Sequence, residues 1–222
     1  MTASARYVAI ITDGNGRWAQ QRGLAVADGH RAGADVVKAR LRDAVELGVQ
    51  ELTVFSFSTE NWTRPSEEVE GLMRMMGERI ANETPELDAE GVRMRFVGRR
   101  EGVPAQLVEL MDWAEEKTAG NDRIVFFVAF NYGGRAEIVD AARSFQGGSE
   151  DEFRRHLYAP EMHDPDLIIR TSGEQRTSNY LLWQSAYSEL VFRDELWPDF
   201  SRQSFEACLD EYARRQRRFG GR

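Results

Sequence analysis

The chain has 222 residues, 41% of them hydrophobic, which suits one sizeable domain with a proper core. Its formal net charge of −8 excludes a general nucleic-acid binder, which needs a cationic face, and its single cysteine, Cys208, excludes an internal disulfide or a cysteine-based zinc site. No stretch approaches the roughly 18 consecutive apolar residues needed to span a bilayer, so the expectation is a cytosolic protein with at most peripheral membrane contact.

In chain order, the first apolar run, Tyr7–Ile11, reads as a buried strand. It breaks at Asp13-Gly14-Asn15-Gly16-Arg17-Trp18. Further strands are expected at Glu51–Phe57, Val92–Val97, Ile124–Phe130, Leu167–Arg170 and Glu189–Phe192. Helical patterns lie between them. In Asp28–Leu47, Val37, Leu41 and Ala44 share a face and Gly48 supplies a stop. In Ser66–Asn82, Val69, Leu72, Met73, Met76 and Ile80 form the stripe, with Ser66 as the expected cap and Glu67 and Glu68 at the positive end. Val103–Thr118, Arg135–Ser144 and Ser201–Arg218 also read as helices, and Cys208 within the last as a small buried side chain. Strands alternating with helices predict an α/β domain with a mostly parallel sheet covered on both faces. There is no internal repeat or low-complexity linker. A single domain spanning 1–222 is expected.

In an open parallel sheet, ligands bind at the carboxyl ends of the strands. The segments expected there carry unusual chemistry. After the first strand, Asp13 offers a hard carboxylate suited to Mg²⁺, Arg17 a cationic fork suited to phosphate, and two glycines a close backbone approach. Asp-Gly is also ordinary turn chemistry, so from composition alone a turn with a solvated arginine and a ligand site stand as alternatives. The loop is neither a Walker A sequence nor Gly-x-Gly-x-x-Gly, because Ala19 stands at the third glycine position. Ser58–Pro65 follows the second strand, Asn131–Arg135 the fourth and Arg170–Asn179 the fifth. One arginine would be read as a surface ion pair of little worth. Arg17, Arg64, Arg170 and Arg176 on one edge point to a polyanion site.

These motifs resemble those of the cis-prenyltransferases, typified by undecaprenyl diphosphate synthase. The resemblance rests on Asp13–Trp18, Gly29-His30-Arg31-Ala32-Gly33, Phe57-Ser58-Thr59-Glu60-Asn61-Trp62-x-Arg64-Pro65, Asn131-Tyr132-Gly133-Gly134-Arg135, the Arg170–Asn179 segment and Leu196-Trp197-Pro198-Asp199-Phe200. It covers nearly the whole chain, in order. It implies a six-stranded sheet with a hydrophobic tunnel between sheet and helices, a homodimer, and Mg²⁺-dependent addition of isopentenyl diphosphate to an allylic diphosphate such as geranyl or farnesyl diphosphate, giving a Z-polyprenyl diphosphate.

By that resemblance Asp13 and Glu189 are the metal ligands. Gly14, Asn15, Gly16, Arg17 and His30 hold the allylic diphosphate, Arg170, Arg176 and Ser178 the isopentenyl diphosphate, and Thr177 is counted among the substrate-binding residues. Ser58, Asn61 and Arg64 stand near the proton-loss step, although a neutral amide is a weak base and Asn61 could instead orient the substrate while released pyrophosphate takes the proton. Thr59 and Glu60 are counted with the substrate-binding loop. Trp18 and Trp62 are expected to wall the prenyl chain, a role that overlaps with core packing. Glu68 fits a flexible lid, and Arg218-Phe219-Gly220 resembles a terminal segment that reaches the partner subunit's site.

The sequence departs from the family pattern at Tyr7 and Thr12, and at Val26, where many members carry a diphosphate-contacting arginine that Arg22 or Arg31 would have to replace. Small Ser56 leans the expected product toward medium or long. The rival readings are an irregular, head-to-middle prenyl diphosphate synthase, a non-catalytic subunit of a heteromeric prenyltransferase, and an all-helical trans-prenyltransferase, whose Asp-Asp-x-x-Asp signature is missing.

Overall fold

The structure is a computed structural model and describes residues 5–215, so the expected role of Arg218–Gly220 lies outside the described residues. In order the elements are β1 (Tyr7–Ile11), α1 (Asn15–Gln21), α2 (Val26–Glu46), β2 (Glu51–Ser58), a 3-10 turn (Thr59–Thr63), α3 (Ser66–Ala89), β3 (Val92–Val97), α4 (Ala105–Lys117) and β4 (Ile124–Tyr132). There follow α5 (Gly134–Ser144), α6 (Glu150–Arg154), β5 (Leu167–Arg170), β6 (Glu189–Phe192), a 3-10 turn (Trp197–Asp199) and α7 (Arg202–Arg214). The strands form one six-stranded sheet in the order β3-β4-β2-β1-β5-β6, flanked by helices. The β1–β5, β5–β6 and β3–β4 pairs are parallel. No helix among the described residues is long and apolar enough to cross a membrane.

By its internal contacts the chain groups into two compact units, β2 passing from the first to the second after Val54. The first unit comprises residues 5–54, 164–176 and 184–215. Its core is Ile10, Leu41, Leu52, Trp197, Phe200 and Phe205. Here α1 lies against α2 at two glycines: a Cβ on Gly29 would sit 2.1 Å from the Asn15 carbonyl oxygen, and one on Gly33 2.3 Å from Asn15 Oδ1. The Trp197 indole donates to the Gly33 carbonyl at 2.8 Å and ties the turn after β6 to the same helix. Cys208 is buried in α7, as expected, and burial pushes its thiol up to about 12, which makes it unreactive.

The second unit comprises residues 55–163 and 177–183. β4 is apolar on both faces and buried almost throughout, the signature of a central strand. Phe57 stacks on Phe130 at 5.2 Å, and Phe55 on Tyr180 at 4.4 Å. α3 continues past Asn82 through Pro85, because Thr84 and Leu87 beyond the expected end are still buried against the core. Ser66 is not its cap: Pro65 holds that position and Ser66 is the first helical residue. Helices α1 and α6 are each too short to show a repeating apolar stripe in the sequence.

Candidate active site

The parallel register aligns Ile11 with Arg170, so the ends of β1 and β5 arrive side by side in the first unit. The chain leaves both strands into loops that are stitched together. Thr171 Oγ1 lies 2.6 Å from the Asp13 carbonyl, to which it donates, and accepts from the Asp13 N–H at 3.1 Å. The Trp197 N–H donates to the same carbonyl at 3.0 Å. Gly14 then turns with φ +113°, where a Cβ would lie 2.9 Å from Leu196 Cδ2. Only glycine fits that combination of hand and space.

The Asp13 carboxylate faces cations. Arg170 Nη2 donates to Oδ2 at 2.9 Å, and Arg17 Nη2 lies 3.6 Å from Oδ1. Burial opposes the charge on Asp13, but hydrogen bonds from Arg170 and Ser172, and the positive charges of Arg170 and Arg17, outweigh it and hold the carboxyl below the ordinary 3.8. Arg170 is almost fully buried, its side chain 5% exposed, and its other nitrogen Nη1 donates to the Arg176 carbonyl. Arg17 donates to the Ser172 carbonyl at 3.2 Å and hydroxyl at 2.5 Å, and pairs with Glu174 at 3.7 Å. Glu174 also pairs with Arg176, whose side chain is 61% exposed. Asp13, Arg17, Arg170 and Arg176 thus belong to one cluster, with Glu174 as its resident counter-ion. Glu174 and Ser172 lie within the Arg170–Asn179 segment, where the sequence pattern alone gives neither a role.

Other expected residues of the first unit have partners of their own. Trp18 does not present a bare ring: its indole donates to Asp199 at 2.7 Å, and the Arg22 guanidinium covers its face at 4.3 Å. Arg22 also pairs with Asp199 at 3.1 Å, and Arg31 with Asp28 at 2.5 Å. Val26 itself is 44% exposed at the start of α2. His30 is half-buried on the same helix. Gly16 is open, with Val26 Cγ1 4.0 Å from where a Cβ would stand.

Glu189 does not join Asp13 within this chain. It opens β6 opposite Leu167, three residues along β5 from Arg170, a separation of about 10 Å in an extended strand. Arg215 Nη1 holds its carboxylate at 2.8 Å. Among the described residues no group of three or more histidine, cysteine, aspartate or glutamate side chains could hold a metal. Asp13 is the ionised hard ligand here that could take Mg²⁺, an ion usually held by one or two carboxylates together with substrate phosphates and waters.

In the second unit, Ser58, Thr59, Glu60, Asn61, Trp62 and Arg64 form a compact turn. The Ser58 N–H donates to Asn61 Oδ1 at 3.0 Å, so the amide oxygen is already engaged by the backbone. The Trp62 indole donates to Asn131 Oδ1 at 2.7 Å, and its ring meets Phe57 edge-on at 5.2 Å. Asn131 donates in turn to the Arg99 and Glu101 carbonyls, both at 3.0 Å. Arg64 pairs with Glu68 at 3.0 Å, which ties the turn to the first turn of α3. Glu60, expected with the substrate-binding residues, instead accepts from Asn179 Nδ2 at 2.8 Å. A carboxylate would repel a diphosphate, so this bracing role is the physically sensible one. Thr177 caps a tight turn through its carbonyl to the Tyr180 N–H at 3.1 Å, and Ser178 within that turn has φ +49°.

Comparison with known proteins agrees with this geometry. The family model described as "Putative undecaprenyl diphosphate synthase" matches residues 11–220. The chain is 51% identical to the isoprenyl transferase of Thermotoga maritima, over 97% of both chains. Among solved structures, a lavandulyl diphosphate synthase from Lavandula x intermedia, in complex with dimethylallyl diphosphate, superposes with a TM-score of 0.94 at 33% identity, over 98% of each chain. A probable undecaprenyl diphosphate synthase from Campylobacter jejuni gives 0.84 at 27% identity, over 98% of this chain and 99% of that one. A loop holding an ionised aspartate among arginines at paired strand ends, on this sheet order and with these relatives, has one consistent reading: the chain belongs to the undecaprenyl diphosphate synthase family of isoprenyl transferases and is a prenyl-transferring enzyme.

Proposed function

We propose that the enzyme condenses isopentenyl diphosphate with an allylic diphosphate, such as geranyl or farnesyl diphosphate, to give a Z-polyprenyl diphosphate. The observation that carries this reading is the Asp13 carboxylate, kept ionised between Arg170 and Arg17 on a glycine loop. In the reaction the allylic C1–O bond breaks and pyrophosphate leaves. The isopentenyl double bond supplies the electron pair for the new C–C bond, and one proton then departs to form the new double bond.

Each chemical demand has a residue to meet it. Mg²⁺ held by Asp13 would neutralise charge on the leaving pyrophosphate. Gly14 lets the backbone come close to the allylic diphosphate, and Arg17 gives it a charged fork. Arg170 and Arg176 hold the second diphosphate; the family resemblance assigns Ser178 to the same substrate. Each charge-assisted contact is worth about 1.5–3 kcal/mol. Glu174 pairs with both Arg17 and Arg176, so diphosphate oxygens would compete with one carboxylate for these two cations. Arg170 is already fixed by Asp13 and the Arg176 carbonyl, so it loses little freedom when substrate arrives.

Asn61 does not suit the part of proton acceptor. Its amide oxygen already accepts the Ser58 N–H, and a neutral amide is a poor base. We assign the proton to an oxygen of the departing pyrophosphate. A homodimer working in the cytosol completes the proposal.

Incubation with Mg²⁺, labelled isopentenyl diphosphate and dimethylallyl, geranyl or farnesyl diphosphate tests it. Incorporation of label into longer diphosphates is expected. No incorporation with any of the three primers would overturn it. The likeness to lavandulyl diphosphate synthase supports a second reading, irregular coupling, and release of a branched product from dimethylallyl diphosphate alone would establish that one instead.

A further inference from the structure

The segment 177–183 contains a concentration of backbone strain. Ser178, Asn179 and Leu181 have φ of +49°, +65° and +45°, in the left-handed region that side chains other than glycine seldom adopt. Such strain persists only where surrounding contacts over-determine it. Asn179 supplies those contacts. Its carbonyl accepts from the Gly134 N–H at 2.7 Å, and its Oδ1 accepts from the Arg135 N–H at 2.8 Å. Its Nδ2 donates to Glu60 Oε1 at 2.8 Å. One side chain thus caps the start of α5 and grips the turn that carries Ser58, Asn61 and Trp62.

The glycine pair after β4 serves this junction. A Cβ on Gly133 would lie 2.6 Å from Thr59 Oγ1 and 2.8 Å from Asn179 Nδ2. The Asn131–Arg135 motif, which gained no role in the reaction, is therefore the seat on which Asn179 is held.

We propose that Asn179 is a positioning residue for diphosphate recognition: through Glu60 and the α5 amides it fixes the left-handed Ser178 backbone and so aims the Ser178 hydroxyl. This rests on the reading of Ser178 as a contact for isopentenyl diphosphate. It assigns Glu60 and the Gly133-Gly134 pair to the same brace. The groups that act on the Glu60 carboxyl are the Asn179 amide, its own backbone N–H and the Ser58 and Thr59 side chains, none of them titratable in the working range. Burial alone would raise the Glu60 carboxyl, but these hydrogen bonds outweigh it and keep it ionised.

The donor–acceptor sense of the brace can be reversed. Asn179→Asp keeps the acceptor for the Arg135 amide but sets a carboxylate against Glu60. The paired change Asn179→Asp with Glu60→Gln restores one hydrogen bond with the donor on the other side. In steady-state assays at pH 8, Asn179→Asp should raise KM for isopentenyl diphosphate about tenfold, the scale of one lost charge-assisted hydrogen bond. Two carboxylates in contact share a proton at about pH 5, so the ratio of variant to wild-type KM should shrink as pH is lowered from about 8 toward about 5. The double variant should bring the ratio to within about threefold at every pH, a coupling that independent sites do not show. The allylic KM should stay unchanged throughout.

A general loss of structure would instead move both KM values and the melting temperature, without the pH trend and without relief in the double variant; that result overturns the proposal. An Asn179→Asp KM equal to that of the wild type at pH 8 overturns it too, while leaving the proposed activity intact. Failure of the wild type to saturate with isopentenyl diphosphate would overturn both.

Discussion

Replacing Asp13 with asparagine separates the chemical role of its charge from its role in the fold. The amide keeps the shape and one acceptor oxygen, so Arg170 Nη2 retains a neutral partner where it now has a charged one at 2.9 Å. Exchanging a charge-assisted for a neutral hydrogen bond costs about 1–2 kcal/mol. For a chain of this size that corresponds to a fall in melting temperature of roughly 3–6 °C. The asparagine cannot serve as a hard anionic ligand, so turnover should fall at least about 10²-fold.

The pH dependence has a definite sign. The folded carboxyl titrates below its ordinary 3.8, so the stability it contributes is fully present above that value and is lost as pH falls through the folded one. The wild type and the variant should therefore differ in melting temperature at pH 7, and the difference should begin to shrink as pH falls below about 4. Differential scanning calorimetry across that range, with an initial-rate assay at pH 7, measures both effects. Turnover within tenfold of the wild type would refute the metal-binding role of Asp13. A stability difference that did not shrink at all as pH fell below about 4 would refute the electrostatic account of its pairing with Arg170.

Three further outcomes follow from the geometry. Arg176→Ala removes an exposed cation that touches Glu174 and should raise KM for isopentenyl diphosphate at least about tenfold, with the melting temperature unchanged. Asn131→Ala strands the Trp62 indole and the Arg99 and Glu101 carbonyls, and should cost about 2–4 kcal/mol in a urea titration. Chelation of divalent cations should abolish turnover but leave the substrate-free melting temperature within about 1 °C, because no cluster of metal-ligating side chains among the described residues depends on an ion for its packing.

Much of this architecture is legible in the sequence. Buried strands announce themselves by continuous apolar runs, and β1, β3, β5 and β6 begin and end where those runs do. The loops that carry Asp13, Arg17, Arg170 and Arg176 stand out because residues of that chemistry recur after strands. Partnerships made across the chain are not legible. Glu60 reads as one more polar residue of a binding loop until Asn179, 119 residues away, is seen to hold it. Glu189 reads as a companion for Asp13 until the β5–β6 register sets it at the far end of the strand, against Arg215. Trp18 reads as a wall until Asp199 and Arg22 are found on it. The Gly29–Gly33 spacing could have been read as a close helix contact, because glycines one turn apart on a helix expose its backbone to a neighbour. Its partner Asn15 belongs to a helix too short to be recognised beforehand.

The central claim concerns bond formation between two diphosphate substrates, and product linkage tests it most directly. Nuclear magnetic resonance of the product made from farnesyl and isopentenyl diphosphates with Mg²⁺ should show a head-to-tail chain whose new double bond is Z, with one pyrophosphate released per unit added. An E double bond, a branched linkage, or pyrophosphate release without chain growth would contradict the account.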